Sequence, residues 1–310
     1  MRLLVFVGLA ISGCAPRAMA MGDAALADHV EDERASAALD AREDHREDAA
    51  REAEAAVSLG DSATDATDVM DVMDAMDAGH AGDASSALRV LFVGNSYTYV
   101  NDLPAMLTTI AARSRPSIAI TASSVTVGGA TLQLHWDSSG ARARLEERTW
   151  DAVVLQGQSL EPLWQPTVFA AYADRFGALA TTVGARPLWF ATWARRADSD
   201  VYAERWSGGA FDAMTTELER GYATAQMRNG GALVRVGEAW RRALAARPSL
   251  VLHDADGSHP TVAGTYLTAC VFYEVMAGGE LTTDREFAAG LSEDDAAALR
   301  SVAVDVGRGR

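Results

Sequence analysis

Three side chains of this sequence have the types and the spacing that acyl transfer by a serine nucleophile requires: Ser96, Asp256 and His259. A serine hydroxyl is a weak nucleophile at its ordinary pKa and needs an adjacent base, for which His259 is the best candidate in the chain. Asp256, three residues before His259, would accept a hydrogen bond from the imidazole Nδ1. That bond would fix the tautomer that leaves Nε2 facing the serine.

The tetrahedral intermediate of such a reaction needs hydrogen-bond donors for its oxygen, and the sequence offers three. The backbone N–H of Ser96 is the first, since it would lie at the N-terminus of a helix. The N–H of Gly129 is the second, because a glycine lets the backbone approach closely. The side-chain amide of Gln158 is the third. We therefore expect these three residues to form the oxyanion hole.

Strands and helices alternate from residue 88 onward, which is typical of a parallel sheet covered by helices on both faces. Short apolar runs rich in β-branched or aromatic residues predict strands at 88–93, 118–126, 151–156, 187–192 and 232–236. Helical patterns occupy 103–114, 131–147, 166–184 and 212–229. A helix is expected after the last strand, and two more at 260–278 and 292–304. The carboxyl ends of parallel strands meet at one edge, so the candidate residues should converge there.

In these motifs the chain resembles the SGNH (GDSL-like) hydrolases over roughly residues 88 to 278. Members of that family carry a serine after the first strand, a glycine after the second, an asparagine after the third and a C-terminal Asp-x-x-His. Four positions match residue by residue: Ser96, Gly129, Asp256 and His259. Two positions depart from the pattern. Asn95 stands in place of the usual aspartate, and Gln158 replaces the asparagine with an amide on a longer arm.

The resemblance implies a three-layer α/β/α, flavodoxin-like sandwich and a serine esterase that needs neither a metal nor a cofactor. It assigns Ser96 as nucleophile, His259 as base and Asp256 as the acid that orients the base. A lipase or thioesterase acting on longer acyl chains is an alternative within the enzymes. A non-catalytic carbohydrate-binding lipoprotein that keeps the fold is an alternative outside them, although such a protein would most simply have lost Ser96 or His259.

The N-terminal residues differ from the rest of the chain. An apolar run from Leu3 to Gly13 is too short for a permanent membrane span and predicts a signal peptide over residues 1–20. The run ends in a segment that resembles a bacterial lipobox, so we expect Cys14 to be lipidated. An ordinary secretory signal with a chance cysteine is the alternative. Residues 21–86 predict a disordered tether rich in Ala, Asp and Glu, followed by the α/β domain at 87–310.

This leader predicts an exported bacterial lipoprotein that is anchored in the cell envelope through Cys14, and a surface location favours O-acetylated carbohydrate or polysaccharide as the ester substrate. The charge distribution agrees with a tether, because residues 1–87 hold 19 of the 43 acidic residues and only 6 of the 27 arginines. The net charge of −16 offers no basic face, which excludes nucleic acid as a partner. Cys14 and Cys270 are the only cysteines, so no disulfide framework is expected.

Other residues near these motifs leave alternatives open. Asp254 is a second candidate for the orienting acid, and His253, Asp256 and His259 have a spacing that metal ligands also use. His135 is interpreted as a packing residue.

The turn after the fourth strand suggests a substrate site. There we expect Trp193 to form a wall for a sugar or acyl group, Arg195 to bind its polar side and Trp164 to add a second wall. A capped strand with a solvated basic turn is the alternative.

Overall fold

A parallel sheet of five strands forms the centre of the computed structural model, which describes residues 87–147, 149–283 and 290–310. The strands lie in the order β2-β1-β3-β4-β5. Their bounds are β1 Leu88–Gly94, β2 Ile120–Thr126, β3 Ala152–Leu155, β4 Arg186–Ala191 and β5 Ala232–Arg235. Every strand pair is parallel, with Val90 of β1 opposite Ala122 of β2 on one side and Ala152 of β3 on the other. The predicted sheet is confirmed.

Ten helices accompany the sheet in the described part of the chain. Their bounds are α1 Ser96–Tyr99, α2 Leu103–Arg113, α3 Leu132–Asp137, α4 Ala141–Glu146, α5 Glu161–Trp164, α6 Pro166–Val183, α7 Phe211–Asn229, α8 Val236–Ala246, α9 Val262–Met276 and α10 Glu293–Gly307. A short 3₁₀ helix spans Asp200–Ala203. None of the helices in the described ranges combines the length and the hydropathy that crossing a membrane would require.

The central strand β1 has apolar side chains on both faces because helices cover both faces of the sheet. Val90 and Phe92 of β1 belong to one core cluster, whose other members come mainly from α2, α8, α9 and α10. Leu91 and Val93 belong to a second cluster on the opposite face, with members from α3, α4, α6 and α7. Successive side chains of a strand point to opposite faces, so a run that is apolar at every position fits a strand buried on both sides. The expected three-layer α/β/α sandwich is thereby confirmed.

One detail differs from the sequence-based expectation, and another agrees with it. The pattern predicted over 131–147 is two short helices, α3 and α4, because the chain turns at Gly140, where φ is +85°. The helix expected after the last strand begins directly at its end, as α8. The predicted signal peptide, Cys14 and the tether lie outside the described residues.

The strand order has a consequence for the position of a ligand site. The chain first moves from β1 outward to β2 and then crosses back to β3 on the other side of β1. A crevice opens at the carboxyl ends of the strands where the winding direction reverses, and ligands of open α/β sheets bind there. The turns that follow β1, β2 and β3 carry Ser96, Gly129 and Gln158, and all three therefore border that crevice.

Candidate active site

Ser96 lies in a tight turn between β1 and α1. β1 ends at Gly94, and Asn95 caps the helix that Ser96 begins, with its side-chain oxygen accepting a backbone N–H of the first turn at 3.1 Å. A side chain at position 94 would have no room, since its Cβ would lie 2.4 Å from Thr98 Oγ1 and 2.6 Å from Gln156 Oε1. The turn therefore holds Ser96 at a fixed point, with 6% of the residue exposed.

Ser96, His259 and Asp256 form a continuous chain of hydrogen bonds. His259 Nε2 lies 2.9 Å from Ser96 Oγ, and His259 Nδ1 is bonded to Asp256 Oδ2. An ionised carboxylate only accepts hydrogen bonds, so Nδ1 carries the ring proton and Nε2 is left to accept the serine hydroxyl. The contact that the sequence predicted between residues 163 positions apart is present. Its geometry suits removal of the serine proton.

Asp256 is held as an acceptor by its own loop. Its Oδ1 accepts the backbone N–H groups of Ser258 and His259 at 2.8 and 3.0 Å. Partial burial by itself would raise the pKa of Asp256, but the hydrogen bonds from the His259 ring and from these N–H groups outweigh burial and hold the pKa below its usual value. The carboxylate is therefore ionised at neutral pH, as the orienting role requires.

The other titratable residues of this loop have different surroundings. His253 is buried, and its Nε2 lies 2.9 Å from the carbonyl oxygen of Ala194. Asp254 is exposed, and its carboxylate accepts the N–H of the next residue. Asp256, and not Asp254, is thus bonded to the His259 ring. Within the described residues no three histidine, cysteine or carboxylate side chains gather as metal ligands would.

Two of the predicted oxyanion donors are the backbone N–H groups of Ser96 and Gly129, and their contact with an oxyanion stays a prediction. Gly129 has a φ of +62°, a left-handed conformation that favours glycine, and neither its N–H nor that of Ser96 donates to another described residue. Gln158 is half-buried, and its Oε1 accepts Leu160 N–H and Trp164 Nε1–H at 2.8 and 3.2 Å. Both partners are donors, so they fix the amide oxygen and leave the NH₂ group to donate. Its contact with an oxyanion stays a prediction.

Trp193 does not form a wall of the site, and that prediction is wrong. The residue is 0% exposed and stacks between Tyr97 and Trp240, at ring-centroid distances of 4.2 and 4.1 Å. Its indole Nε1 donates to the carbonyl oxygen of Ser258 at 2.9 Å. Trp193 therefore supports, from within the core, the two turns that carry the nucleophile and the base.

Arg195 contacts Tyr97 and Ser159, which directly follow Ser96 and Gln158 in the chain. Its guanidinium donates to the Tyr97 hydroxyl and, at 3.0 Å, to Ser159 Oγ, and no described ion pair neutralises it. The Tyr97 hydroxyl also lies 2.9 Å from Ser258 Oγ. Trp164 is half-buried beside Gln158. The contacts of Arg195 and Trp164 with a substrate stay predictions.

Two buried amides connect the turns of the site, and the sequence analysis gave them no role. Asn95 is 2% exposed, and its Nδ2 donates to the carbonyl oxygens of Ala130 and Gly157 at 3.3 and 3.0 Å. Gln156 is 0% exposed, donates to Asn95 Oδ1 at 2.6 Å and accepts the Asn95 N–H at 3.1 Å. These bonds join the nucleophile turn to the turns after β2 and β3. The sequence did offer one signal for this role: Gln156 is a polar residue directly after the fully apolar strand β3.

Two bacterial proteins are among the solved structures to which the chain is similar. A protein from Slackia heliotrinireducens that is assigned to the SGNH hydrolases is 31% identical, with a TM-score of 0.54 over 62% of this chain and 100% of that protein. A DUF4886 family protein from Bacteroides uniformis is 15% identical, with a TM-score of 0.57 over 71% of this chain and 95% of that protein, which shows the same fold.

No protein-family model matches the sequence, and no curated protein does either. The assignment therefore rests on the Slackia protein, which is matched over its whole length at 31% identity. The motif order and the parallel sheet agree with it. This chain belongs to the SGNH hydrolase family.

Proposed function

We propose that this hydrolase is a serine esterase that removes small acyl groups, and that O-acetylated carbohydrate is its substrate class. The observation that carries the proposal is the 2.9 Å separation of Ser96 Oγ and His259 Nε2, with Asp256 bonded to the far side of the ring. A nucleophile bonded to a base, which is in turn bonded to an orienting acid, is the arrangement that covalent acyl transfer requires.

The reaction would begin when Ser96 Oγ attacks the ester carbonyl carbon and passes its proton to His259 Nε2. Asp256 stabilises the imidazolium that forms, while the N–H groups of Ser96 and Gly129 and the Gln158 amide bind the oxyanion. The imidazolium then protonates the leaving alcohol oxygen as the ester C–O bond breaks. An acyl-Ser96 remains.

Water completes the cycle by the same route. His259 removes a proton from the water molecule as it attacks the acyl carbon, and the second tetrahedral intermediate collapses with return of that proton to Ser96 Oγ. The products are a carboxylic acid and the free enzyme. All proton transfers pass through His259, which acts first as the base and then as the acid in each half of the cycle.

The carbohydrate assignment has three supports. Trp164 offers a half-buried ring beside Gln158, and aromatic rings provide flat apolar surface for sugars. Arg195 provides a guanidinium without a carboxylate partner among the described residues, and three of its five donor hydrogens are unused by the Tyr97 and Ser159 bonds. The predicted export of the chain would bring the site to envelope polysaccharide.

The test compares initial rates on p-nitrophenyl acetate, butyrate and octanoate, and acetate release from acetylated oligosaccharide. We expect acetate esters to be preferred and Ser96→Ala to remove activity. Ser117→Ala is the matched control, because Ser117 is exposed before β2 and its hydroxyl donates only to Ala112 O. Full turnover by Ser96→Ala would refute the mechanism, and a preference for octanoate would refute the substrate class in favour of a lipase or thioesterase.

We further propose that Cys14 is lipidated and anchors the domain in the bacterial cell envelope through the acidic segment 21–86. The supports are the lipobox-like Ile11-Ser12-Gly13-Cys14 and the apolar run before it. Radiolabelled palmitate should enter the wild-type chain and not Cys14→Ser. Equal labelling of both proteins, or no label in either, would contradict the anchor.

A further inference from the structure

Glu161 is a buried carboxyl in the first position of α5, directly behind the turns that supply oxyanion donors. The residue is 0% exposed. One carboxyl oxygen, Oε2, accepts the backbone N–H of Leu132 and the backbone N–H of Gln158, both at 3.1 Å. The other oxygen, Oε1, is buried and has no hydrogen-bond partner among the described residues. The carboxyl is therefore half satisfied, which is costly in a protein interior.

The two N–H groups that Glu161 binds belong to different turns. Leu132 begins α3, three residues after Gly129, and Gln158 is itself the candidate side-chain donor. A single oxygen thus fixes the distance between the turn after β2 and the turn after β3. Gly157 packs directly on this oxygen, since a Cβ there would lie 2.3 Å from Glu161 Oε2. The contact leaves the carboxyl no space to move toward Gly157.

No cation among the described residues forms an ion pair with Glu161. Tyr222 of α7 is a titratable group that interacts with Glu161, and the Tyr222 hydroxyl accepts the Gly157 N–H at 3.1 Å. On α3, His135 is bonded to Gly94 O and Ser139. Asp174 of α6 pairs with Arg228 of α7, and Arg220 and Glu217 pair within α7. Burial raises the pKa of Glu161 to about 7, against the opposing effect of its two backbone hydrogen bonds.

We propose that Glu161 is a positioning residue that sets the spacing of the Gly129 and Gln158 oxyanion donors by holding both turns with one carboxyl oxygen. The inference rests on the proposed esterase function. Oxyanion donors act only when they are held within a fraction of an ångström of the developing charge, so a group that clamps two of them controls the rate of acylation. The neutral acid suits this role, because its carbonyl oxygen can accept both N–H groups without placing an anion behind the oxyanion.

Ionisation of Glu161 would then slow the reaction. A carboxylate at this point repels the negative charge that develops on the substrate oxygen, so kcat should fall as the pH rises through about 7. Glu161→Gln keeps an oxygen acceptor for both N–H groups and cannot ionise. That variant should retain kcat within about threefold at pH 6 and should lose the alkaline fall. Glu161→Ala removes the clamp and should lower kcat about 10- to 100-fold with KM unchanged.

The experiment measures kcat and KM for p-nitrophenyl acetate from pH 5.5 to 9, with active sites counted by a fluorophosphonate so that misfolded protein does not enter kcat. Glu274→Gln is the matched control: Glu274 is also buried with one unpartnered oxygen, but it lies near the opposite end of α9 from His259. It should keep the wild-type alkaline fall.

The inference is wrong if Glu161→Gln retains the alkaline fall, or if Glu161→Gln loses as much kcat at pH 6 as Glu161→Ala. If the alanine variant does not fold, the glutamine profile decides alone. Ser96→Ala, run in parallel, separates this outcome from a failure of the proposed function, since persistent activity in Ser96→Ala would remove the esterase mechanism whatever Glu161 does.

Discussion

The side-chain amide of Asn95 donates a hydrogen bond to the carbonyl oxygen of Gly157 at 3.0 Å, from the residue before the candidate nucleophile to the residue before Gln158. The same NH₂ group reaches Ala130 O at 3.3 Å. Both partners are acceptors, so position 95 needs a donor. This requirement explains the amide where the family usually has aspartate, which the sequence alone left without a role.

Replacing Asn95 with aspartate should therefore be costly at alkaline pH. A carboxylate would face two carbonyl oxygens in a site that is 2% exposed, and we expect Asn95→Asp to lose about 2–4 kcal/mol of unfolding free energy at pH 8. The loss should be smaller at pH 5, where a protonated acid can donate to one carbonyl. Urea denaturation at the two pH values measures both. An equal loss at pH 5 and pH 8 would contradict the donor argument.

Asp256→Asn should lower kcat on p-nitrophenyl acetate by about 10³–10⁴-fold with little change in KM. An amide NH₂ facing His259 Nδ1 would favour the tautomer with the proton on Nε2, and that nitrogen could no longer accept the Ser96 proton. Asp254→Asn is the control, since Asp254 is exposed and its carboxylate accepts only the Ala255 N–H among the described residues. Comparable losses in the two variants would show that the loop, and not the ring tautomer, was altered.

Trp193 and Trp164 should respond differently to truncation. Trp193→Ala opens a cavity between Tyr97 and Trp240 and should cost about 3–5 kcal/mol of unfolding free energy. Trp164 is half-buried, so Trp164→Ala should cost less than about 2 kcal/mol and should chiefly raise KM for acetylated oligosaccharide. Thermal unfolding and steady-state kinetics separate the two effects. An unchanged KM in Trp164→Ala would remove that residue from the substrate site.

The sheet and the site contacts follow from features that are local in the sequence. The central strands β1, β3 and β4 are short, mostly apolar runs. The rule that the carboxyl ends of parallel strands meet at one edge predicted that Ser96 and His259 lie together, although no local pattern links the two residues. The predictions that were wrong concern side chains whose burial is set by residues distant in the chain. Trp193 follows a strand and precedes two arginines, a pattern that fits an exposed wall of a site as well as a buried residue. Its burial is set by stacking between Tyr97 and Trp240, which the local sequence does not report.

Glu161 was missed for a related reason. Its sequence context, Leu-Glu-Pro-Leu-Trp, is that of an ordinary helix start, where an acidic residue is favoured on the surface. Its burial depends on α7, which packs closely at Gly221, where a Cβ would lie 2.6 Å from that of Pro162. No pattern within one segment reports such a contact, because it is set by the approach of two helices that are distant in the chain.

His135 makes the unfolding free energy of the protein fall as the pH is lowered below 6.5. The ring is 0% exposed, lies 2.9 Å from Gly94 O through Nε2, and burial lowers its pKa from 6.5 to about 4. The unfolded chain therefore binds more protons than the native chain between these values, so stability is fully present above pH 6.5 and falls as the pH drops toward 4. The loss attributable to this residue is about 3 kcal/mol.

His135→Gln tests that assignment, because glutamine can donate to Gly94 O but does not titrate. The quantity to measure is the difference in unfolding free energy between wild type and variant at pH 7.5 and at pH 4.5, by urea denaturation. We expect the wild-type advantage to shrink by about 2–3 kcal/mol at the lower pH. Glu161 titrates in the opposite sense but is present in both proteins, so its effect cancels in the difference. A difference that stays constant with pH would mean that His135 is not buried as a neutral ring.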